Sequence, residues 1–279
     1  MVDGIERVGL ATANANRLRL LSYNIQAGAD TRRYSEYLTH GWKNLLPHRE
    51  QLHNLDHISH LLRDFDLVGL QEVDSGSLRS GFVDQTEYLA HQAGFPYWFK
   101  QVNRSIGKLA QHSNGVLSRM MPSNIVEHKL PGLPGRGAML VEFKTSEKPL
   151  GICIMHLALG RRARMRQLSY VSELISHYSH LVVMGDFNCD CGSQEFRYLL
   201  EKIDLHGSPC EMMTFPSWRP NRKLDHILAS PSLKLAKAEV LNYACSDHLP
   251  ISVEVELPAH VVLDRASSAV CQGGFSAVA

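Results

Sequence analysis

The sequence predicts an α/β or α+β fold with large β-sheets in one domain, and three observations carry that reading. Apolar runs of strand length recur along most of the chain, several of them continuous, as strands covered on both faces require. Helical patterns of roughly 10–17 residues separate only some of these runs, so strands and helices do not alternate strictly. The 279 residues show no internal repeat and no composition shift that would mark a linker. One domain is therefore expected over 17–258, between a loose polar arm at 1–16 and a small-residue tail at 259–279.

The elements follow in order. RLRLLSYNI, Arg17 to Ile25, alternates and then becomes a strand-like run that delivers Asn24 at its end. AGADTRRYSEYLTHGWK then reads as a surface loop, in which Arg32, Arg33 and Trp42 either shape an entrance or are solvated filler. Leu46 to Leu62 is expected to be a helix. Leu52, Leu55, Ile58, Leu61 and Leu62 hold helical spacing, and His48, His53, His57 and His60 lie on the surface. Asp66 to Leu70 is a buried strand closed by Gln71-Glu72, and a glutamate there needs a cation or a strong donor.

Thr86 to Gly94 reads as a helix stopped by glycine. Phe95 to Val102 and Asn114 to Ser118 are strands, the second opening from a turn at Asn114-Gly115. The run LPGLPG from Leu130 is a loop. Ala138 to Phe143 and Leu150 to Met155 form a strand pair that delivers His156. Arg161 to His177 is a helix with Leu168, Val171, Leu174 and Ile175 on one face.

LVVMGDFN, at 181–188, runs a buried strand into Gly185, where the backbone is expected to turn tightly. That leaves Asp186 and Asn188 two positions apart, able to activate and orient a water, or simply forming an Asx turn. A helix from Ser193 to Ile203 and a loop from Met212 to Pro220 come next. Lys223 to Ala229 is a strand in which Asp225 points inward and His226 packs or faces solvent. Leu233 to Leu241, a turn at Cys245–Pro250, and the alternating Ile251 to Leu257 complete the chain.

Composition excludes several classes. A formal net charge of +1 rules out a strongly basic nucleic-acid wrapper, though not a local basic patch. No apolar run reaches the roughly 18 residues of a membrane span, and the N-terminus is no convincing secretory signal. Six cysteines form no C-x-x-C pair, so they are expected to be reduced and cytoplasmic. Cys189 and Cys191 offer only half a tetrahedral zinc site. No G-x-S-x-G elbow, phosphate-binding P-loop or dinucleotide fingerprint is present.

The polar residues at strand ends are Asn24, Glu72, His156, Asp186, Asn188, Asp225, Asp247 and His248. Their hard oxygen atoms suit Mg²⁺ or Mn²⁺ rather than Zn²⁺. Two histidines could support charge on a phosphoryl oxygen, and Asp186 could activate water. SYNI around Asn24, LQEV around Glu72, SNGVLSR from Ser113, MHLALG around His156, GDFN at 185–188, LDHIL around Asp225 and SDHLP at 246–250 occur in this order. This ordered set resembles the endonuclease/exonuclease/phosphatase superfamily of DNase-I-like metal phosphoesterases, over residues 18–257.

The resemblance implies a four-layered α/β sandwich, two packed mixed sheets flanked by helices. It implies that Glu72 is the main metal ligand, with Asn24 and Asp247 completing or neighbouring the site. It makes Asp186 the residue that positions or deprotonates water, and Asn188 a holder of water or phosphate. His248, oriented by Asp225, would contact the phosphate, and His156 would stabilise the transition state from the other side. Gln26 stands where some nuclease members carry aspartate, which puts a second metal in doubt. His156 replaces the tyrosine of the abasic-site nucleases. HLALGRRARMRQL and TFPSWRPNRKLDHIL look closest to a subgroup of small stand-alone bacterial members.

Arg161, Arg162, Arg164 and Arg166 crowd a helix start, where cations oppose the helix dipole. They read as contacts to an anionic substrate or as a solvated turn. Residues 100–170 carry many Lys and Arg against only Glu127, Glu142 and Glu147, which supports a positive face. The expected function is divalent-metal-dependent hydrolysis of a phosphodiester in nucleic acid, or of a phospholipid or small phosphoester, by a monomer. The alternative is a catalytically silent member acting as a binding or regulatory protein.

Overall fold

The computed structural model describes residues 16–28, 49–207 and 212–263. In chain order these form β1 (Arg17–Asn24), α1 (Arg49–Leu62), β2 (Leu67–Val73), α2 (Gln85–Ala93), β3 (Tyr97–Ile106) and β4 (Ala110–Ser118). Next come β5 (Asn124–Lys129), β6 (Gly137–Phe143), β7 (Leu150–His156), α3 (Arg161–Ile175), β8 (His180–Asp186) and α4 (Gln194–Lys202). The short β9 (His206–Gly207), β10 (Asp225–Ala229), β11 (Lys234–Val240) and β12 (Ile251–Glu256) complete the set. One six-stranded sheet has the order β11-β12-β1-β2-β4-β3, and the other β5-β6-β7-β8-β10-β9. Both are mixed, with β1 parallel to β2 and β7 parallel to β8.

Strand alternation decides what each residue faces, because side chains two apart share a face. Leu18 and Leu20 of β1 meet Ile152 and Ile154 of β7 and Val182 and Met184 of β8 in the core between the sheets. The opposite faces carry Leu21 and Tyr23 against α1 and α2, and Cys153, Met155, Leu181 and Val183 against α3 and α4. Four layers result, as the resemblance implied. Gly69 of β2 is glycine because the sheets approach closely there. A Cβ would lie 2.6 Å from Met184 Cε.

The helices begin and end where their caps dictate. The Asp84 carboxylate accepts the Thr86 and Glu87 N–H groups at the start of α2, and Gly94 closes it at φ 72°. The Ser193 hydroxyl caps α4 by accepting the Phe196 N–H. His53, His57 and His60 are exposed on α1, as expected. No described helix is long and apolar enough to cross a membrane.

Four expectations need correction. Asn114 and Gly115 lie inside β4 rather than in a turn, and both are buried. Gly185 remains within β8, and its role is close approach. At φ 143° its missing Cβ leaves room for the Met155 carbonyl, which would otherwise sit 1.9 Å away. The turn follows at Asn188, which takes φ 52°. Strand β5 escaped the sequence reading because its mostly exposed NIVEHK shows little apolar alternation. Packing also passes residue 258, since Val261 is buried in the inter-sheet core. The loop with Arg32, Arg33 and Trp42, the arm before residue 16, His48 and the tail after 263 lie outside the described residues.

Candidate active site

Two rows of polar residues meet at one end of the sandwich. In the second sheet Gly137, His156, Asp186 and Asp225 are side-by-side partners on β6, β7, β8 and β10. His156 continues the Ile152–Ile154 face of β7, and Asp186 continues the Val182–Met184 face of β8. Asp225 shares its face with Ile227 and Ala229. The alternation that buries these apolar residues thus aims the polar ones between the sheets. In the first sheet Asn24 extends the Leu18–Leu20 face of β1, beside Gln71 on β2. His248 arrives on the turn just before β12.

Asp186 is the centre, and it is 1% exposed. Its Oδ2 accepts from Asn24 Nδ2 at 3.1 Å, and its Oδ1 accepts the Asn188 N–H at 2.8 Å. His156 Nε2 stands 3.4 Å from Oδ2 and His248 Nε2 stands 3.8 Å from it. Asn188 is fixed by donating Nδ2 to the Leu157 carbonyl at 2.9 Å. Burial pushes the Asp186 carboxyl up to about 7, with Asp225 adding to the rise and His248 opposing it.

His248 Nδ1 lies 2.7 Å from Asp225 Oδ2. The same oxygen accepts the Thr214 hydroxyl at 2.5 Å, while Asp225 Oδ1 is buried without a partner. Burial works against an imidazolium at His248, but the charges of Asp225 and Asp186 outweigh it and raise the group to about 10. His156 is the opposite case, held well below its ordinary value by burial and by the field of Arg136. The arrangement therefore pairs a protonated imidazole with a neutral one on either side of one carboxylate.

Glu72 reaches this end by a bulge, since the β2–β4 pairing shifts between Leu70 and Val73. Its φ of 56° is a strained left-handed value for a non-glycine residue. The nearest ionisable nitrogen among the described residues is His156 Nε2 at 3.8 Å, and that ring is neutral. Asp247 is pushed up to about 6, first by burial and further by the charge of Glu72, against the pull of His248. Two carboxylates whose charges act on each other, Asp247 with the Ser246 hydroxyl as donor at 3.2 Å, fit a hard divalent cation. Asp186, Asp225 and His248 also present atoms within 4.8 Å of one another. There His248 Nδ1 is already engaged by Asp225, so this group is better matched to proton handling than to holding a metal.

The arginines divide. Arg164 is turned inward, its Nε donating to Glu195 Oε1 at 3.0 Å and its guanidinium also meeting the Ala158 and Leu159 carbonyls. This corrects its reading as a substrate contact, because a buried glutamate from α4 takes its charge. Arg161 also meets Gln194 and Glu195 but is mostly exposed, and Arg162 and Arg166 are exposed. His226 points away from the site and packs edge-on to Phe187, its Nε2 2.9 Å from the Cys189 carbonyl.

Other residues at this end were not singled out from the sequence. Thr214 orients Asp225, and Phe215 packs on His248 at 4.9 Å between ring centroids. Asn114 donates to Gln101 Oε1 at 3.2 Å and to the Gly137 carbonyl at 3.1 Å, backing the strand beside His156. The available signal was period two: Asn114 follows the inward parity of Val116.

The fold and its polar end define a DNase-I-like protein. Residues 21–248 match the Endonuclease/Exonuclease/phosphatase family, and the chain belongs to it. Its structure is similar to an endonuclease/exonuclease/phosphatase from Beutenbergia cavernae, with TM-score 0.68 and 18% identity over 88% of this chain and 72% of that one. It is similar to a mannosyl-6-phosphatase from Bacteroides thetaiotaomicron, with TM-score 0.64 and 20% identity over 85% and 99% of the two chains. The human Nocturnin catalytic domain with bound sulfate gives TM-score 0.64 and 17% identity over 87% and 95%. No curated protein matches the sequence.

Proposed function

We propose that the protein is a divalent-metal-dependent phosphoesterase that hydrolyses a phosphate ester by in-line attack of water. The observation that carries this reading is Asp186, a buried carboxylate held by Asn24 and Asn188 with a histidine on each side. Family membership and the phosphatase among the similar structures support the same chemistry. Glu72 and Asp247, with Asn24 beside them, would hold Mg²⁺ or Mn²⁺. The bound ion would supply Lewis-acid polarisation of a phosphoryl oxygen.

The chain's own residues do the rest. Asp186, raised toward neutrality, takes the proton of the attacking water once ionised. Asn24 and Asn188 fix the direction of that carboxylate. His248, kept cationic by Asp225, donates to a phosphoryl oxygen as negative charge builds there. His156, neutral and buried, supports the same group from the opposite side through Nε2, an atom without a hydrogen-bond partner in the protein. Arg161, Arg162 and Arg166 are proposed as outer contacts for an anionic nucleic-acid, phospholipid or small phosphoester substrate. We also read the protein as a cytoplasmic monomer, and the free thiols of Cys153 and Cys189 support the cytoplasmic part of that reading.

The test is turnover of bis(4-nitrophenyl) phosphate against Mg²⁺ and Mn²⁺, with an EDTA control. Wild type should need the metal, and Glu72→Gln should stay folded while requiring far more of it. Metal-independent turnover, or a Glu72→Gln variant with an unchanged metal requirement, would overturn this assignment. A folded protein with no turnover of any phosphate ester would favour the silent scaffold.

A further inference from the structure

We propose that the substrate carries a second phosphate group, and that Arg104, His112 and Arg136 form the subsite that receives it, beside Glu72. This deepens the phosphoesterase reading and rests on it.

The three residues reach one corner by independent routes. Strand β4 is regular, so His112 continues the inward parity of Val116 and Asn114 toward the end where Glu72 lies. The pairing of Val73 with Ser113 puts Glu72 and His112 next to that same rung. Arg104 on β3 is the cross-strand partner of His112. Its side chain runs along the 130–136 loop, where a Cβ on Gly135 would lie 3.6 Å from Arg104 Cδ. Arg136 comes next in that loop, and the following residue, Gly137, pairs with His156. His156 Nε2 is 3.8 Å from Glu72, which closes the circuit. The fields of Arg136 and Arg104 both reach His112, and those of Arg136 and His112 both reach His156.

The two arginines lack partners that their neighbours have. Arg79 is committed to Asp74, and Arg119 donates to the carbonyls of Phe65, Gly94 and Arg63. Among the described residues, no carboxylate forms an ion pair with Arg104, His112 or Arg136. Arg136 donates only to the carbonyl of its neighbour Gly135. Glu72 is a carboxylate whose field reaches His112, and the metal proposed above would engage it. Two guanidiniums without an ion-pair partner among the described residues, with an imidazole at the same corner, match the oxygens of a phosphate, which guanidinium groups can bind in bidentate fashion.

Binding calorimetry tests this directly. Glucose 1,6-bisphosphate is compared with glucose 1-phosphate and glucose 6-phosphate. A thymidine dinucleotide is compared with and without a 5′-phosphate. Each is titrated into wild type in EDTA and into Asp186→Asn with Mg²⁺. The second phosphate should strengthen binding by about tenfold or more, the scale of a charge-assisted hydrogen bond. A gain with the sugar only assigns a small bisphosphate, and a gain with the dinucleotide only assigns an adjacent phosphate of nucleic acid.

Arg104→Gln/Arg136→Gln should erase the gain, and the surface control Lys144→Gln/Arg197→Gln should keep it. No gain in either series overturns the proposal. So does a gain that survives in the Arg104/Arg136 variant, or one that the control variant loses equally. Turnover of bis(4-nitrophenyl) phosphate, which has no second phosphate, reports on the phosphoesterase reading alone. The two ideas can therefore fail separately.

Discussion

Replacing Asp74 by Asn should destabilise the whole protein by about 3–5 kcal/mol, the usual result of removing one partner from a buried ion pair. The carboxylate lies two residues after Glu72 and is fully buried. Its Oδ1 accepts from the Gly76 N–H at 3.0 Å, the Ser77 N–H at 2.7 Å and the Ser80 hydroxyl at 2.9 Å. Its Oδ2 accepts from the Ser77 hydroxyl at 2.6 Å, Arg79 Nε at 2.9 Å and the Gln111 N–H at 3.2 Å. Both oxygens therefore face only donors. Asparagine would turn an NH₂ toward one set of them and leave the Arg79 guanidinium, 9% exposed, without a counter-charge. Summing charged hydrogen bonds singly would give a larger figure, but the unfolded carboxylate is hydrated, so the ion-pair value is the one to use.

For a chain of this size the loss corresponds to a fall in Tm of roughly 6–20 °C. Urea unfolding followed by circular dichroism measures it. The pH dependence gives a second check. Burial pushes Asp74 up, yet Ser77, Arg79 and Gln111 outweigh it and hold the group below its ordinary 3.8. A depressed carboxylate contributes stability that is present above its unfolded value and lost as pH falls through its folded value. The gap between wild type and variant should thus be constant near neutrality and narrow below about pH 4. A neutral-pH difference under about 1 kcal/mol, or a gap that widens in acid, would refute the reasoning.

Three further outcomes are expected. Asp186→Asn and His248→Ala should each lower kcat by ~10²–10⁴ with smaller changes in KM, and the double variant should lose less than the product, as steady-state kinetics will show. Thr214→Val should lower kcat about 5-fold, the worth of the ~1 kcal/mol hydrogen bond it removes from Asp225, and less than Asp225→Asn does. Gly185→Ala should cost at least ~3 kcal/mol in denaturant titration, because the new methyl meets the backbone carbonyl of Met155 and the residue holds φ 143°.

Most strands were legible because their burial is written as alternation or as continuous apolar runs. LVVMGD is buried throughout, and both of its faces are covered. The candidate site was legible in part because four of its residues close those same runs. Asn24, His156, Asp186 and Asp225 are terminal residues of their strands. What escaped notice depends on contacts between strands far apart in sequence. The Asn114–Gln101–Gly137 network looks like a turn when Asn-Gly is read locally, and only the pairing of β4 with β2 and β3 shows that it is strand. Likewise Arg164 reads as a free cation until α4 brings Glu195 against it. The capture of Asp225 by Thr214 depends on a loop that folds back over 11 positions.

The continuity between strand faces and candidate-site residues has a consequence for how the proposed activity would be lost. Asn24, His156, Asp186 and Asp225 each end a ladder whose other rungs belong to the inter-sheet core. No hinge separates chemistry from scaffold, so the reactive geometry should persist until the sheets part. Turnover should then report global unfolding, disappearing together with the near-ultraviolet signal rather than ahead of it. The loops at 130–136 and 212–224 interrupt no ladder. Changes confined to 130–136 should leave Asn24, His156, Asp186 and Asp225 in place, whereas 212–224 also carries Thr214, which holds Asp225.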